Sequence, residues 1–221
     1  MVYVIILGNP GVITSFITMS DVEDEIDWEI TGKPNVPQSN VFYHSKGKTD
    51  IEKEIGIHGG EHPIDDTSKM HTYVIDWKHD SITWSIDGKV VRTLMKEKSF
   101  SKLNPLGPKW FPTTPSLVQF ALWDGGYPGS SEGTRNWAGG AIDWGSKQEL
   151  VANYESVMIE CYDEKDNIVP KWPLNTPDKK EKTAKSNDKG GSNGSKTTPQ
   201  GSALRHSSVW LAVASVLFSL C

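Results

Sequence analysis

The chain has 221 residues, of which 36% are hydrophobic and 23% charged, and its formal net charge is −5. That is a globular composition, long enough for one domain with a tail. The acidic balance argues against nucleic acid as a partner, because phosphate backbones are held by clustered lysine and arginine. Two cysteines are too few for a disulfide-built scaffold.

Taken in chain order, "MVYVIILGNPG" is a short apolar run closed by glycine and proline, which predicts a strand and a turn. It has no basic leading segment of the kind a secretion signal carries, so the chain is expected to begin inside a domain. "VITSFITMS" (12–20) is β-branched and alternating, and "EIDWEIT" (25–31) follows an acidic turn; both predict strands. The segment around His58, Glu61 and His62 carries ligand-type residues on glycine-rich turns, but it lacks a third partner and no metal site is expected. In "HTYVIDWKHDSITWSIDGKVVRTL" (71–94), "TYVIDW" and "SITWSID" are strands joined by Lys78-His79-Asp80. Asp87-Gly88 is the next turn signal. Trp77 and Trp84 are expected to face each other across this hairpin as core packing. "SLVQFALW" (116–123) and "YESVMIECYD" (154–163) complete the strands, and no long segment before the tail shows a helical period. Many short strands separated by turns predict an all-β sandwich or jelly roll spanning residues 1 to about 172.

Residues 173–208 are lysine, serine, threonine, glycine and asparagine with almost nothing apolar, the composition of a disordered linker. Residues 209–221, "VWLAVASVLFSLC", form an apolar run shorter than the roughly 20 residues a membrane-spanning helix needs. Small residues, a polar spacer and a hydrophobic end make the pattern of a glycosylphosphatidylinositol-attachment signal. Asn193-Gly194-Ser195 is the expected attachment site, with residues 196–208 as spacer. This places the protein on the cell surface, held to the membrane through a lipid. Removal of the signal would take away Trp210 and Cys221, leaving Cys161 as a lone thiol with no internal disulfide. Asn193 also opens a glycosylation sequon, and one side chain cannot serve both purposes.

Glu25, Asp27 and Glu29 occupy every second position, so on a strand they share one face while Ile26, Trp28 and Ile30 share the other. Such a row of like charge can be a solvated face. It can also be a catalytic pair with a helper, because glycoside hydrolysis needs one carboxylate as nucleophile and one carboxylic acid as proton donor. Mutual repulsion raises a pKa and keeps one acid protonated near neutral pH. Four residues of extended strand span roughly 13 Å, so convergence of the two glutamates requires a concave sheet. The nine tryptophans fit this chemistry, since indole rings stack on sugar faces. Trp123 and Trp137, bordering the glycine-rich stretch 124–140, are the candidate sugar platforms.

"DEIDWEITG" resembles the Glu-x-Asp-x-Glu signature of glycoside hydrolase family 16, carried on a central strand of a jelly roll. "VPQSNVFY", the hairpin at 71–94, "FPTTPSLVQFALWDGG" and "GTRNWAGGAIDW" are similar to the fungal Crh-type cell-wall transglycosylases of that family, in order over residues 8 to 165. The resemblance implies Glu25 as nucleophile, Asp27 as its helper and Glu29 as acid/base. Gln38 and Asn40 would line the cleft. It further implies chitin as donor and β-glucan as acceptor, a monomer, and no cofactor. The family places a longer segment ahead of the catalytic strand, so the resemblance implies a sandwich incomplete at its N-terminus. A non-catalytic carbohydrate-binding wall protein, or an inactive remnant, remains the alternative to an enzyme.

Overall fold

The computed structural model describes residues 2–6, 9–43, 55–56, 59–99, 110–145, 149–169, 203–205 and 213–214. In chain order its strands are β1 (Val2–Ile6), β2 (Val12–Ser20), β3 (Glu25–Ile30), β4 (Pro37–Tyr43), β5 (Ile55–Gly56), β6 (His71–Trp77), β7 (Ser81–Ile86), β8 (Lys89–Met95) and β9 (Ser116–Asp124). A one-and-a-half-turn helix α1 (Glu132–Trp137) follows, then β10 (Glu149–Val157), β11 (Cys161–Tyr162), β12 (Ile168–Val169), β13 (Ala203–Arg205) and β14 (Val213–Ala214). They form two antiparallel six-stranded sheets, ordered β14-β9-β2-β3-β4-β5 and β13-β10-β1-β6-β7-β8, with β11-β12 as a separate ribbon. This is the sandwich the alternating patterns predict.

Alternation sorts the side chains between the two faces of the first sheet. Phe16, Ile26, Trp28, Val41, Val118 and Phe120 face the second sheet, which contributes Tyr73, Ile82, Trp84, Ile86 and Leu94. Phe16 stacks on Phe120 with centroids 5.5 Å apart, and Trp28 meets Tyr73 edge-on at 5.4 Å. Truncating an aromatic of this kind costs about 3–5 kcal/mol. The second sheet owes much of its order to the Asp87-Gly88 turn, where φ is 50° and 77°. Both values lie in the left-handed region that a tight hairpin demands.

Two readings of the sequence are corrected. The strand expected over 154–163 starts earlier, at Glu149, and breaks at Met158–Glu160 before β11. Its opening residues carry a weak β signal, but Leu150 and Ala152 bury into a second core cluster with Val12, Leu122 and Ile142. Trp77 and Trp84 are not opposite one another: register pairs Trp84 with Ile75 and Trp77 with Ile82. Core packing nevertheless holds, since Trp84 is fully buried and Trp77 packs against the same cluster. Cys161 is disulfide-bonded; its reading as a lone thiol concerns a chain from which residues 209–221 have been removed. β1 pairs along both edges, with β10 and with β6. Beyond residue 169 only β13 and β14 are described; Asn193 and most of the linker and apolar tail lie outside the described residues. No helix among the described residues is long and apolar enough to cross a membrane.

Candidate active site

β3 lies inside its sheet, between β2 and β4. Its apolar residues Ile26, Trp28 and Ile30 are buried towards the second sheet. Glu25, Asp27 and Glu29 therefore project together from the opposite face, as the period of two requires. Register fixes their neighbours. Asn40 lies opposite Asp27 and Gln38 opposite Glu29 on β4, while β2 places Ile17 and Ser15 on the other side. One strand further, β9 brings Gln119, Ala121 and Trp123 onto this face.

The three acids sit in different environments. Asp27 is fully buried, and neither carboxyl oxygen has a hydrogen-bond partner of normal geometry among the described residues. Burial, then the charges of Glu29 and Glu25, raise its pKa well above the usual carboxylate range, although the nearby Asn40 pulls the other way. Glu29 is half-buried. Burial, followed by the charge of Glu25, pushes its pKa to about 8. The charge of Glu25 thus reaches Glu29 past the intervening aspartate. Glycoside hydrolysis requires one protonated carboxyl and one carboxylate, and a raised Glu29 pKa beside Glu25 is compatible with that requirement.

At the Glu29 end the face is closed by aromatic groups. α1 begins at Ser131, whose hydroxyl caps the helix by accepting from the Thr134 amide at 3.0 Å. The helix carries Trp137 to Gln38, where the indole N–H donates to Oε1 at 2.8 Å. Trp123 from β9 lies beside it, ring centroids 6.0 Å apart. The candidate residues Gln38, Asn40, Trp123 and Trp137 are therefore brought together with the acids. Gln119 joins the same face and was not singled out from the sequence, although its spacing from Trp123 carried the signal. Glu61 and His62 do not converge: Glu61 pairs with Lys33 at 3.0 Å, while His62 hydrogen-bonds Ser39 Oγ at 2.8 Å. His58 lies outside the described residues. Among the described residues no group of three or more histidine, cysteine or acidic side chains is arranged to hold a metal ion.

The sequence profile of glycosyl hydrolases family 16 matches residues 7–139, more than half of the chain. The chain belongs to glycosyl hydrolases family 16. It is 43% identical over 163 residues to Crh-like protein 3 of Botryotinia fuckeliana, covering 70% of this chain and 34% of that protein. Crh-like protein 2 of Aspergillus fumigatus is 38% identical over 161 residues, covering 69% of this chain and 34% of the relative. Among solved structures, apo Crh5 transglycosylase superposes with a TM-score of 0.53 at 36% identity, over 66% of this chain and 56% of that one. The chain thus spans about a third of the length of these curated relatives. The sandwich is accordingly a family 16 jelly roll.

Proposed function

We propose that the chain acts in the cell wall as a retaining glycosidase or transglycosylase on β-linked polysaccharide. A single observation carries this reading: Glu29, held protonated to about pH 8, shares an open face with Glu25 across a buried Asp27. An oxygen of the Glu25 carboxylate attacks the anomeric carbon of the donor while the glycosidic C–O bond breaks. The Glu29 proton passes to the departing oxygen. Glu25 is then an uncharged ester, and the loss of its charge removes one of the two influences holding the Glu29 pKa up. Glu29 can therefore accept the proton of an acceptor hydroxyl whose oxygen displaces Glu25. Asp27, uncharged and pressed between the two, orients Glu25.

A solved structure of the relative, titled Crh5 transglycosylase in complex with NAG, supports an amino-sugar polymer such as chitin as donor. A β-glucan acceptor would make the product a cross-link between wall polymers. Gln38, Asn40, Trp123 and Trp137 bind the sugar chain. The C-terminal pattern adds surface anchoring at Asn193, and deletion of residues 209–221 from a chain supplied with a secretion signal should release it to the medium.

The chemical assignment is tested with oligosaccharide and activated aryl donors. Glu25→Gln should abolish hydrolysis and transfer, because no glycosyl-enzyme forms. Glu29→Gln should stall on natural donors yet still be glycosylated by activated ones, leaving a sugar adduct on the peptide containing Glu25. An adduct on Glu29 would reverse the roles. Undiminished activity of Glu25→Gln, or sugar binding without any turnover by the unsubstituted chain, would leave a carbohydrate-binding protein as the better reading.

A further inference from the structure

The face of the catalytic sheet that carries the acids is backed by a polar cluster inside the sandwich. Its centre is Arg92, on β8 of the second sheet and largely buried. Its guanidinium stacks on the Trp84 ring, 4.3 Å from the centroid. Nη1 donates to the main-chain oxygen of Ser39 at 2.8 Å and to its hydroxyl at 3.1 Å. Trp84, the register partner of Arg92, donates its indole N–H to the main-chain oxygen of Asp27 at 2.9 Å. One stacked pair from the far sheet thus holds β3 at the middle acid and β4 at the residue between Gln38 and Asn40.

We propose that Arg92 is a positioning residue for the acid row: with Trp84 it locks β3 and β4 together from behind, setting where Asn40 and Gln38 stand against Asp27 and Glu29. Its catalytic sense rests on the roles proposed above. The rest of the cluster is built around the same contact. Ser39 is fully buried, and its hydroxyl, accepting from Arg92, has its own hydrogen to give to His62 Nε2, 2.8 Å away. That requires His62 neutral, in keeping with a pKa lowered by burial and by the charge of Arg92. The His62 ring also meets Trp28 edge-on at 5.5 Å. Gly59, whose amide donates to Ser39 O at 2.9 Å, packs so close to the guanidinium that no side chain fits between.

A cation here also acts through its field. Among the described groups, Asp27, on the other face of β3, and His62, from the segment after β5, interact with the Arg92 charge. Burial lowers the Arg92 pKa to about 10, against the pull of Asp27, so it stays charged at neutral pH. Removing the charge should make ionisation of the acid row harder, and releasing β4 should withdraw the Asn40 influence that also favours ionised Asp27.

The test follows the carboxyl titration of Asp27 and Glu29 by ¹³C NMR in the full chain, without substrate. Four chains are compared: unsubstituted, Arg92→Met, Arg92→Lys and Leu94→Ala. The last removes a buried apolar neighbour on the same strand and reports plain loss of stability. Arg92→Met should raise the coupled midpoint by roughly half a pH unit or more. Arg92→Lys should recover part of the shift, because it keeps the charge but not the planar fork. Leu94→Ala should lower the melting temperature and leave the midpoint in place. A midpoint unmoved in Arg92→Met, or moved as far in Leu94→Ala, would overturn the proposal. Should Arg92→Met not fold, Arg92→Lys and Ser39→Ala carry the same comparison, and an unchanged midpoint in both overturns it. Failure of the unsubstituted chain to turn over any glycoside would sink the enzymatic reading and leave this titration unaffected.

Discussion

Trp137 donates its indole N–H to Oε1 of Gln38, 2.8 Å away. The bond joins the short helix to the strand beside the acids and fixes which way the Gln38 amide points. An amide whose oxygen accepts from an indole keeps its N–H donors for other partners.

Trp137→Phe keeps an aromatic ring beside Trp123 but frees the Gln38 amide to rotate. Loss of one oriented hydrogen-bonding group is worth about 1 kcal/mol of sugar binding. KM for oligosaccharide donors should rise about fivefold while kcat changes little. A fall in kcat at constant KM would mean that Trp137 serves the chemistry rather than the binding of sugar.

Gly59→Ala tests the packing on Arg92. A Cβ there would lie 2.0 Å from Nη1 and 2.5 Å from Ser39 O, so the guanidinium must move. Overpacking together with loss of the charge-assisted bonds to Ser39 should cost about 3 kcal/mol. Gly60→Ala is the control: φ is +85°, but a Cβ meets nothing within 4 Å. It should lose only the left-handed backbone penalty of about 1–2 kcal/mol. Equal losses in denaturant unfolding would show that Arg92 yields freely.

Much of this was legible in the sequence because alternation is local. "VITSFITMS", "EIDWEI" and "SLVQFALW" each declare a strand and its two faces, and the acid row marks the face proposed to do chemistry. The hairpin turn at Asp87-Gly88 was equally local. What stayed hidden depends on partners far along the chain. Arg92 and Ser39 are 53 residues apart, and nothing in "GKVVRTL" says that its arginine turns inward. The start of β10 was missed for the same reason, since its pairing with β1 spans almost the whole folded region. Gln119 differs: its face follows from alternation with Trp123, and only attention to the aromatic residues passed it over.

His71 provides a pH test of the second sheet. Nδ1 lies 2.7 Å from Asp87 Oδ2 and Nε2 lies 2.7 Å from Asp66 O, so both ring nitrogens face acceptors and only the imidazolium satisfies both. Burial opposes that charge, but the Asp87 and Asp66 contacts outweigh it and the pKa is raised. For Asp87 burial again works upward and is outweighed by the Thr72 amide and His71, so its pKa is lowered. The histidine contribution is complete below its unfolded pKa of about 6.5 and disappears as pH rises through the higher folded value. That of Asp87 is complete above about 3.9 and disappears as pH falls through its depressed value. Their common window is about pH 4 to 6.5. His71→Gln should therefore cost more stability near pH 5.5 than near pH 8.5, read from urea midpoints; a cost independent of pH would show that the ring acts only by packing.

Glu29 makes a pH prediction for the molecule as a whole. Burial first, and the Glu25 charge second, raise its pKa from 4.5 to about 8, so between those values the folded chain holds a proton that the unfolded chain has released. Where the native state binds the extra proton, stability falls as pH rises, at about 1.4 kcal/mol per pH unit for one full proton. The raised Asp27 adds to the same trend. Glu29→Gln is neutral at every pH. It should flatten this fall and be more stable than the unsubstituted chain at about pH 8. Activity should follow the same group from the other side: kcat/KM on natural donors should drop as pH rises through about 8, because the proton donor is lost. Donors with an activated leaving group need no such proton, and their basic limb should be weaker or absent. A stability–pH curve that Glu29→Gln leaves unaltered, or a basic limb equally steep for both donor types, would mean that Glu29 is ionised in the folded protein and that the acid must be sought elsewhere in the row.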